Sequence, residues 1–391
     1  MLVLTQSFSP PSLAGAGWIS FRREVHAEVT QPVKPFATID EQIDVLVARG
    51  LSLDTIIATR WLRSVGYYRL SGYWYPYRQP GVVPAVRRDQ FTQGASLDDV
   101  VQLYEFDRKL RTLIHDGIER VEVALRSHVS YIIGTQGPLA YRDAAAFRPT
   151  FDHAGWLATA RIRADRARRH SEPIRHHEAK YRGELPIWVL TEVLDFADVS
   201  RLYDGLFARD QWTIAERLGV TIGDADLSAN QRSKARKVHP LARWFEQLTI
   251  VRNTCAHHSR AWNRSFTPVS TAGLRTIRDL RSLPEGQSER LYGALMVMGY
   301  LLQGTSPGAT WTTKLRSLIE ESFSGLSCRD VAEMGFPEGW EVEPLWHRTR
   351  EEAQVDHGAE RGREGCAGGG AGRTRPDQTL HPTEESGRTA R

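Results

Sequence analysis

Across residues 33–350 the large apolar side chains return every three or four positions, and almost nowhere do they alternate singly with polar ones. Three- and four-residue steps keep side chains on one face of an α-helix, whereas single alternation is what a half-buried strand requires. The spacing therefore predicts an all-α domain, with no parallel sheet and at most one short β-hairpin between residues 80 and 94. No internal repeat is visible.

Helix starts are legible. Thr38, with Glu41 three residues on, makes a capping-box pattern. A helix should run from it through Ile43, Leu46 and Val47 until Gly50 stops it. A second start near residues 52–54 leads through Ile56, Ile57 and Leu62 to Gly66. The stretch GYYRLSGYWYPYR (residues 66–78) follows, rich in aromatics and broken by Gly72 and Pro76. Ser96 is a good N-cap for a long helix reaching about Ile133. Its apolar stripe is Leu103, Phe106, Leu110, Leu113, Val121 and Ala124; a polar stripe carries Arg108, Arg111, His115, Glu119, Glu122 and Arg126. Further helices are expected over residues 154–169, 187–194, 200–206, 241–262, 272–279, 289–302 and 311–323.

The two ends read differently. Residues 1–32 show no sustained period, and residues 351–391 hold almost no large apolar side chain to offset the entropy of ordering. Both are expected to be disordered or loosely attached, which leaves residues 33–350 as the domain. Cys255, Cys328 and Cys366 are too few and too scattered for a disulfide framework or a zinc cluster. No basic segment followed by an apolar stretch opens the chain, and the longest apolar run, LYGALMVMGYLL (residues 291–302), is too short to span a bilayer. A cytoplasmic protein without membrane contact is expected. The net charge of +4 and pI of about 9.0 lean towards a polyanionic partner. Two basic runs, RIRADRARRHSEPIRHHEAKYR (residues 161–182) and QRSKARKVH (residues 231–239), read equally well as solvated helix faces.

One segment combines an apolar anchor with reactive side chains: LARWFEQLTIVRNTCAHHSRAWN, residues 241–263. Leu241, Trp244, Leu248, Val251, Cys255 and Trp262 form a stripe, with His258 filling its one gap. Asn253, His257, Arg260 and Arg264 form a second line on the opposite side, within reach of the long Arg252 side chain. Histidine is the neutral-pH acid/base, and an arginine fork matches phosphate oxygens while keeping its charge. Asn253 is suited to orienting a hydroxyl, a phosphate oxygen or the imidazole. Together they suit RNA cleavage, in which the 2′-hydroxyl attacks the neighbouring phosphorus, His257 moves protons and Arg252 stabilises the charge that develops. That scheme uses neither metal nor cofactor. Spacing alone leaves a bland alternative open, because any surface helix displays a polar stripe and Arg148 to His153 repeats the Arg-x4-His interval.

WFEQLTIVRNTCAHHSRAWNR (residues 244–264) resembles the signature segment of the Abi-like proteins, the abortive-infection AbiD/AbiF type. The likeness continues, in order, through KPFATIDEQIDVLVARG, GYYRLSGYWYPYR, LYEFDRKLRTLIHDGIERVEVALRSH, LPIWVLTEVLDFADVSRLY and GFPEGWEVEPLW, and so covers most of residues 33–346. The resemblance implies an HEPN-like helical bundle with additional helices, whose Arg-x4–6-His motif often forms a metal-independent endoribonuclease site. Arg252 and His257 match the motif's ends and Asn253 its polar residue. It further implies a homodimer with a composite site, RNA (often tRNA) as target, and a role in phage defence or toxin–antitoxin systems, with an antitoxin or phage trigger as partner. Many such proteins are inactive, which leaves a non-catalytic RNA-binding or phage-sensing module as the alternative. Ala197 stands where the family often has glycine, a departure expected to affect packing rather than chemistry.

Supporting residues are expected elsewhere. Glu119, Glu122 and Arg126 share a face of the long helix, either to hold Arg252 or His257 in place or simply as an ion pair. Tyr67, Tyr68, Tyr73, Trp74, Tyr75 and Tyr77, interleaved with Arg69 and Arg78, suit either base stacking or the core. His176, Lys180 and Tyr181 are expected RNA-backbone contacts, and Trp188 is expected in the core.

Overall fold

Thr38 and Ser96 cap as their side chains dictate. Thr38 Oγ1 accepts the Glu41 N–H at 3.3 Å and starts α1 (Ile39–Ala48), and Asp54 caps α2 (Thr55–Ser64) through the Ile57 N–H. A computed structural model describes residues 33–347, apart from residues 84, 85, 307 and 309. The expected loose segments 1–32 and 351–391 lie outside the described residues.

The aromatic run becomes helix α3 (Tyr67–Trp74), with Gly72 inside it, then a short turn at Pro76. The expected hairpin is present: β1 (Arg78–Pro80) pairs antiparallel with β2 (Arg87–Phe91). Ser96 then caps α4 (Leu97–Gly134), a helix of 38 residues. At 1.5 Å per residue such a helix is about 57 Å long, and it forms the axis of the fold, touching α3 and most of the helices that follow.

Beyond it come α5 (His153–Ala167), α6 (Glu172–Lys180), α7 (Ile187–Leu190), α8 (Phe196–Gly205), α9 (Ala208–Arg217), α10 (Ala229–Lys237) and α11 (Leu241–Ala256). A two-residue pair, β3 (Val269–Ser270) with β4 (Gln287–Ser288), precedes α12 (Leu291–Thr305), α13 (Trp311–Ser322) and α14 (Pro344–His347). The fold is mostly α-helical, as the periodicity indicates, and its buried apolar residues form one cluster running from Ile43 to Trp346. No helix among the described residues is long and apolar enough to cross a membrane.

Gly117 sets how closely the later helices approach α4. A Cβ there would lie 2.7 Å from Met298 Sδ and 2.9 Å from Trp311 Nε1. The indole N–H of Trp311 uses that space to donate to the Leu113 carbonyl at 2.7 Å.

Several expectations are corrected. Residues 272–279 do not form an α-helix but two single turns, at Leu274–Thr276 and Arg278–Leu280. Ile56 and Ile57 face solvent, and Ala58 and Leu62 carry the buried face of α2. Trp188 is not core: it is 52% exposed. Arg111, assigned to a polar stripe, is buried because Asp107 pairs with it one turn earlier.

Candidate functional site

The decisive local event is where α11 stops. The stripe suggested a helix through Trp262, but the last helical residue is Ala256, with His257 as C-cap. His258 adopts φ of +54°, the left-handed conformation. Its N–H donates to the Cys255 carbonyl at 2.9 Å, and the Ser259 N–H donates back to the Thr254 carbonyl at 3.0 Å. These two bonds are the Schellman closure of a helix C-terminus, here with histidine where glycine is usual. His258 therefore serves the turn and is exposed, rather than filling the buried stripe.

This ending sorts the motif residues. His257 is exposed, and its N–H bonds the Asn253 carbonyl at 3.0 Å, so the two lie one helical turn apart. Asn253 is also exposed, and its Oδ1 accepts from Arg252 Nη1 at 3.3 Å; Arg252 is half-buried. Arg252, Asn253 and His257 thus gather at one exposed helix end. On the other side Cys255 is buried, and burial pushes its thiol up to about 12, so it stays protonated.

Arg260 and Arg264 do not continue the line, because the helix has ended. The Arg260 guanidinium turns inward to the Gly72 carbonyl of α3, and Arg69 of α3 donates to the His258 carbonyl. Arg264 is half-buried in the following turn. Two arginines thereby clamp the backbone after His257 to α3.

A buried carboxylate completes the clamp. Asp107 of α4 accepts the Ala261 N–H (3.1 Å) and Trp262 N–H (2.9 Å) at Oδ1. Its other oxygen accepts the Tyr73 hydroxyl at 2.7 Å and pairs with Arg111. Burial pushes the Asp107 carboxyl above its ordinary range, opposed by Arg111 and by these three donors. Burial likewise raises the Tyr73 phenol. Asp107 was not among the sequence candidates, although a carboxylate set beside Phe106 and Leu110 in an apolar stripe needs partners in the fold.

The family model for Abi-like proteins matches residues 60–263, slightly more than half of the chain. The chain belongs to the Abi-like protein family. The matched stretch is narrower than the resemblance read from residues 33–346, yet it contains every residue of the cluster above, from Arg69 to Trp262. No curated protein and no solved structure matches the chain.

The remaining candidates of this Abi-like protein fall elsewhere. Arg126 pairs with Glu122 and donates to the carbonyls of Thr191 and Leu194, so the pair ties α4 to the segment between α7 and α8. Its partners do not include Arg252 or His257, while Glu119 is exposed on the same helix. His176, Lys180 and Tyr181 are exposed on and just after α6; the Tyr181 ring lies 5.8 Å from His176 and 5.0 Å from His177. Of the aromatic run, Tyr73, Trp74 and Tyr77 are buried, whereas Tyr68, beside the Arg69 clamp, is 92% exposed. Among the described residues no group of three or more His, Cys, Asp or Glu is placed to hold a metal.

Proposed function

We propose that this Abi-like protein is a metal-independent endoribonuclease of abortive-infection phage defence, working through Arg252, Asn253 and His257. The observation that carries this reading is their gathering at the exposed end of α11, on a turn fixed by Asp107 and Arg69. A rigid scaffold holding an exposed imidazole one helical turn from an asparagine that a guanidinium touches suits a positioned acid/base and a phosphate ligand.

In the proposed reaction a ribose 2′-oxygen attacks the adjacent phosphorus as His257 takes its proton. The P–O5′ bond breaks, and the departing 5′-oxygen is protonated. A 2′,3′-cyclic phosphate and a 5′-hydroxyl remain. Arg252 stabilises the extra negative charge on the phosphorane-like transition state, and Asn253 orients it. The nucleophile belongs to the substrate, so DNA is spared. A homodimer would bring a second Arg–Asn–His cluster to the same groove, one imidazole for each proton transfer. The resemblance of residues 244–264 to the Abi-like and HEPN-type proteins is what supports that assembly, an RNA target such as tRNA in the cytoplasm, and control by an antitoxin or phage trigger.

The test is digestion of RNA and DNA in EDTA by wild type and His257→Ala. Cleavage of RNA alone, lost in the variant, supports the enzyme. Equal RNA binding by both with cleavage by neither supports the alternative, a non-catalytic RNA-binding or phage-sensing module.

A further inference from the structure

The last three turns of α4 are uncovered on one side. With Trp188 of α7 and Glu192 just beyond it, they line a cavity of about 580 Å³, within the usual range for small-ligand sites. Its side chains are unusual for a solvent boundary: Trp188 is 52% exposed, Tyr131 59% and Val123 60%. The indole of Trp188 rests on Gly134, where a Cβ would come within 3.6 Å of its ring carbons. Arg217 lies 4.7 Å from the centre of the Tyr131 ring and holds it at the rim.

The floor is polar but already satisfied. Ser130 and Thr191 share a hydrogen bond of 2.8 Å, and Arg126 is engaged by Glu122 and two carbonyls. What remains for a ligand is the Ser127 hydroxyl and the Glu192 carboxylate, which has no ion-pair partner among the described residues. Nothing in this lining overlaps the Arg252–His257 cluster.

We propose that this cavity binds a nucleobase, stacked against Trp188 and recognised along its hydrogen-bonding edge by Glu192. Exposed aromatic rings favour a planar ligand. The Arg217 cation at the rim disfavours a positively charged one, and the free carboxylate disfavours an apolar helix. A carboxylate accepts two parallel N–H bonds, which guanine supplies from N1 and its exocyclic amine. Adenine and cytosine offer an amino group alone, and uracil a single N–H, so guanine is preferred. The base comes either from a free nucleotide or from an unpaired position in RNA.

The experiment is calorimetric titration of the full chain carrying His257→Ala, which keeps RNA intact and separates this site from the proposed nuclease activity. The probes are GMP, AMP, CMP, UMP and the pentanucleotides UUGUU and UUUUU. GMP and UUGUU are expected to bind best; equal affinities assign a free nucleotide, and tighter binding of UUGUU assigns an RNA strand. Trp188→Ala should weaken binding by roughly tenfold or more, with an unchanged unfolding temperature showing that it folds. Glu192→Gln should erase the guanine preference while leaving stacking. Failure of every probe to bind, or full affinity in Trp188→Ala, overturns the proposal. So does a change of oligomeric state in Trp188→Ala with no effect on nucleotides, which would make this face an interface between copies.

Discussion

Asp107 Oδ1 accepts the backbone N–H of Trp262 at 2.9 Å, joining the N-terminal third of α4 to the turn that follows His257. The carboxylate touches no motif side chain. It fixes the path of the chain away from α11 just after His257.

Asp107→Ala should therefore lower both stability and activity. Breaking a buried ion pair by removing one partner costs about 3–5 kcal/mol, and Arg111 would be left without its partner. Urea unfolding measures the first effect. RNA cleavage by the folded fraction should fall as well, with product ends unchanged. Full stability in this variant would refute the anchoring role.

The two adjacent histidines separate cleanly. His258→Gly should stabilise the protein by about 0.5–1 kcal/mol, because glycine takes the left-handed conformation without strain, and it should leave cleavage intact. His258→Val should destabilise by a similar amount or more. Denaturant midpoints decide the matter; a loss of stability in His258→Gly would mean that the imidazole, not the backbone, closes the turn.

Acid sensitivity should trace in part to His239. It is buried against Trp212, its Nδ1 accepts the Leu241 N–H at 3.2 Å, and burial pushes it down to about 4. The unfolded chain binds this proton near pH 6.5, whereas the folded chain refuses it until about pH 4. Stability is therefore unaffected above pH 6.5 and falls as pH drops through the window to 4, by up to about 3 kcal/mol from this group. His239→Gln should flatten that part of the profile; an unchanged slope would assign it to other groups.

Gly117→Ala should loosen the seam between α4, α12 and α13. The added carbon would crowd Met298 and Trp311, at a cost of about 1–3 kcal/mol. Thermal unfolding measures it, and a neutral result would show that Met298 moves aside freely.

Much of this was legible because caps and periodicity are local. Thr38, Asp54 and Ser96 start helices through their own side chains, and Leu103, Phe106, Leu110 and Val121 of the long helix's stripe bury as read, Leu113 only in part. The end of α11 was not legible, since a His-His pair carries no glycine signal and Trp262 happened to fall in phase with the stripe. Trp262 is buried through a turn held from 155 residues away, which no local pattern encodes. Trp188 misled for a related reason: it packs against Gly134, more than fifty positions earlier, and leaves half of its surface to solvent. For the motif, the sequence indicated which residue types would meet, while the fold dropped Arg260 and Arg264 from the line and added Asp107 behind it.

The central claim is that His257 acts on the substrate's own 2′-hydroxyl. It is tested most directly with an RNA oligonucleotide whose cut site has been mapped, compared with the same oligonucleotide carrying one 2′-deoxyribose on the 5′ side of that bond. The expected result is loss of cleavage at that bond alone, with 2′,3′-cyclic phosphate ends at every remaining cut. Continued cleavage at the deoxy position would contradict the account.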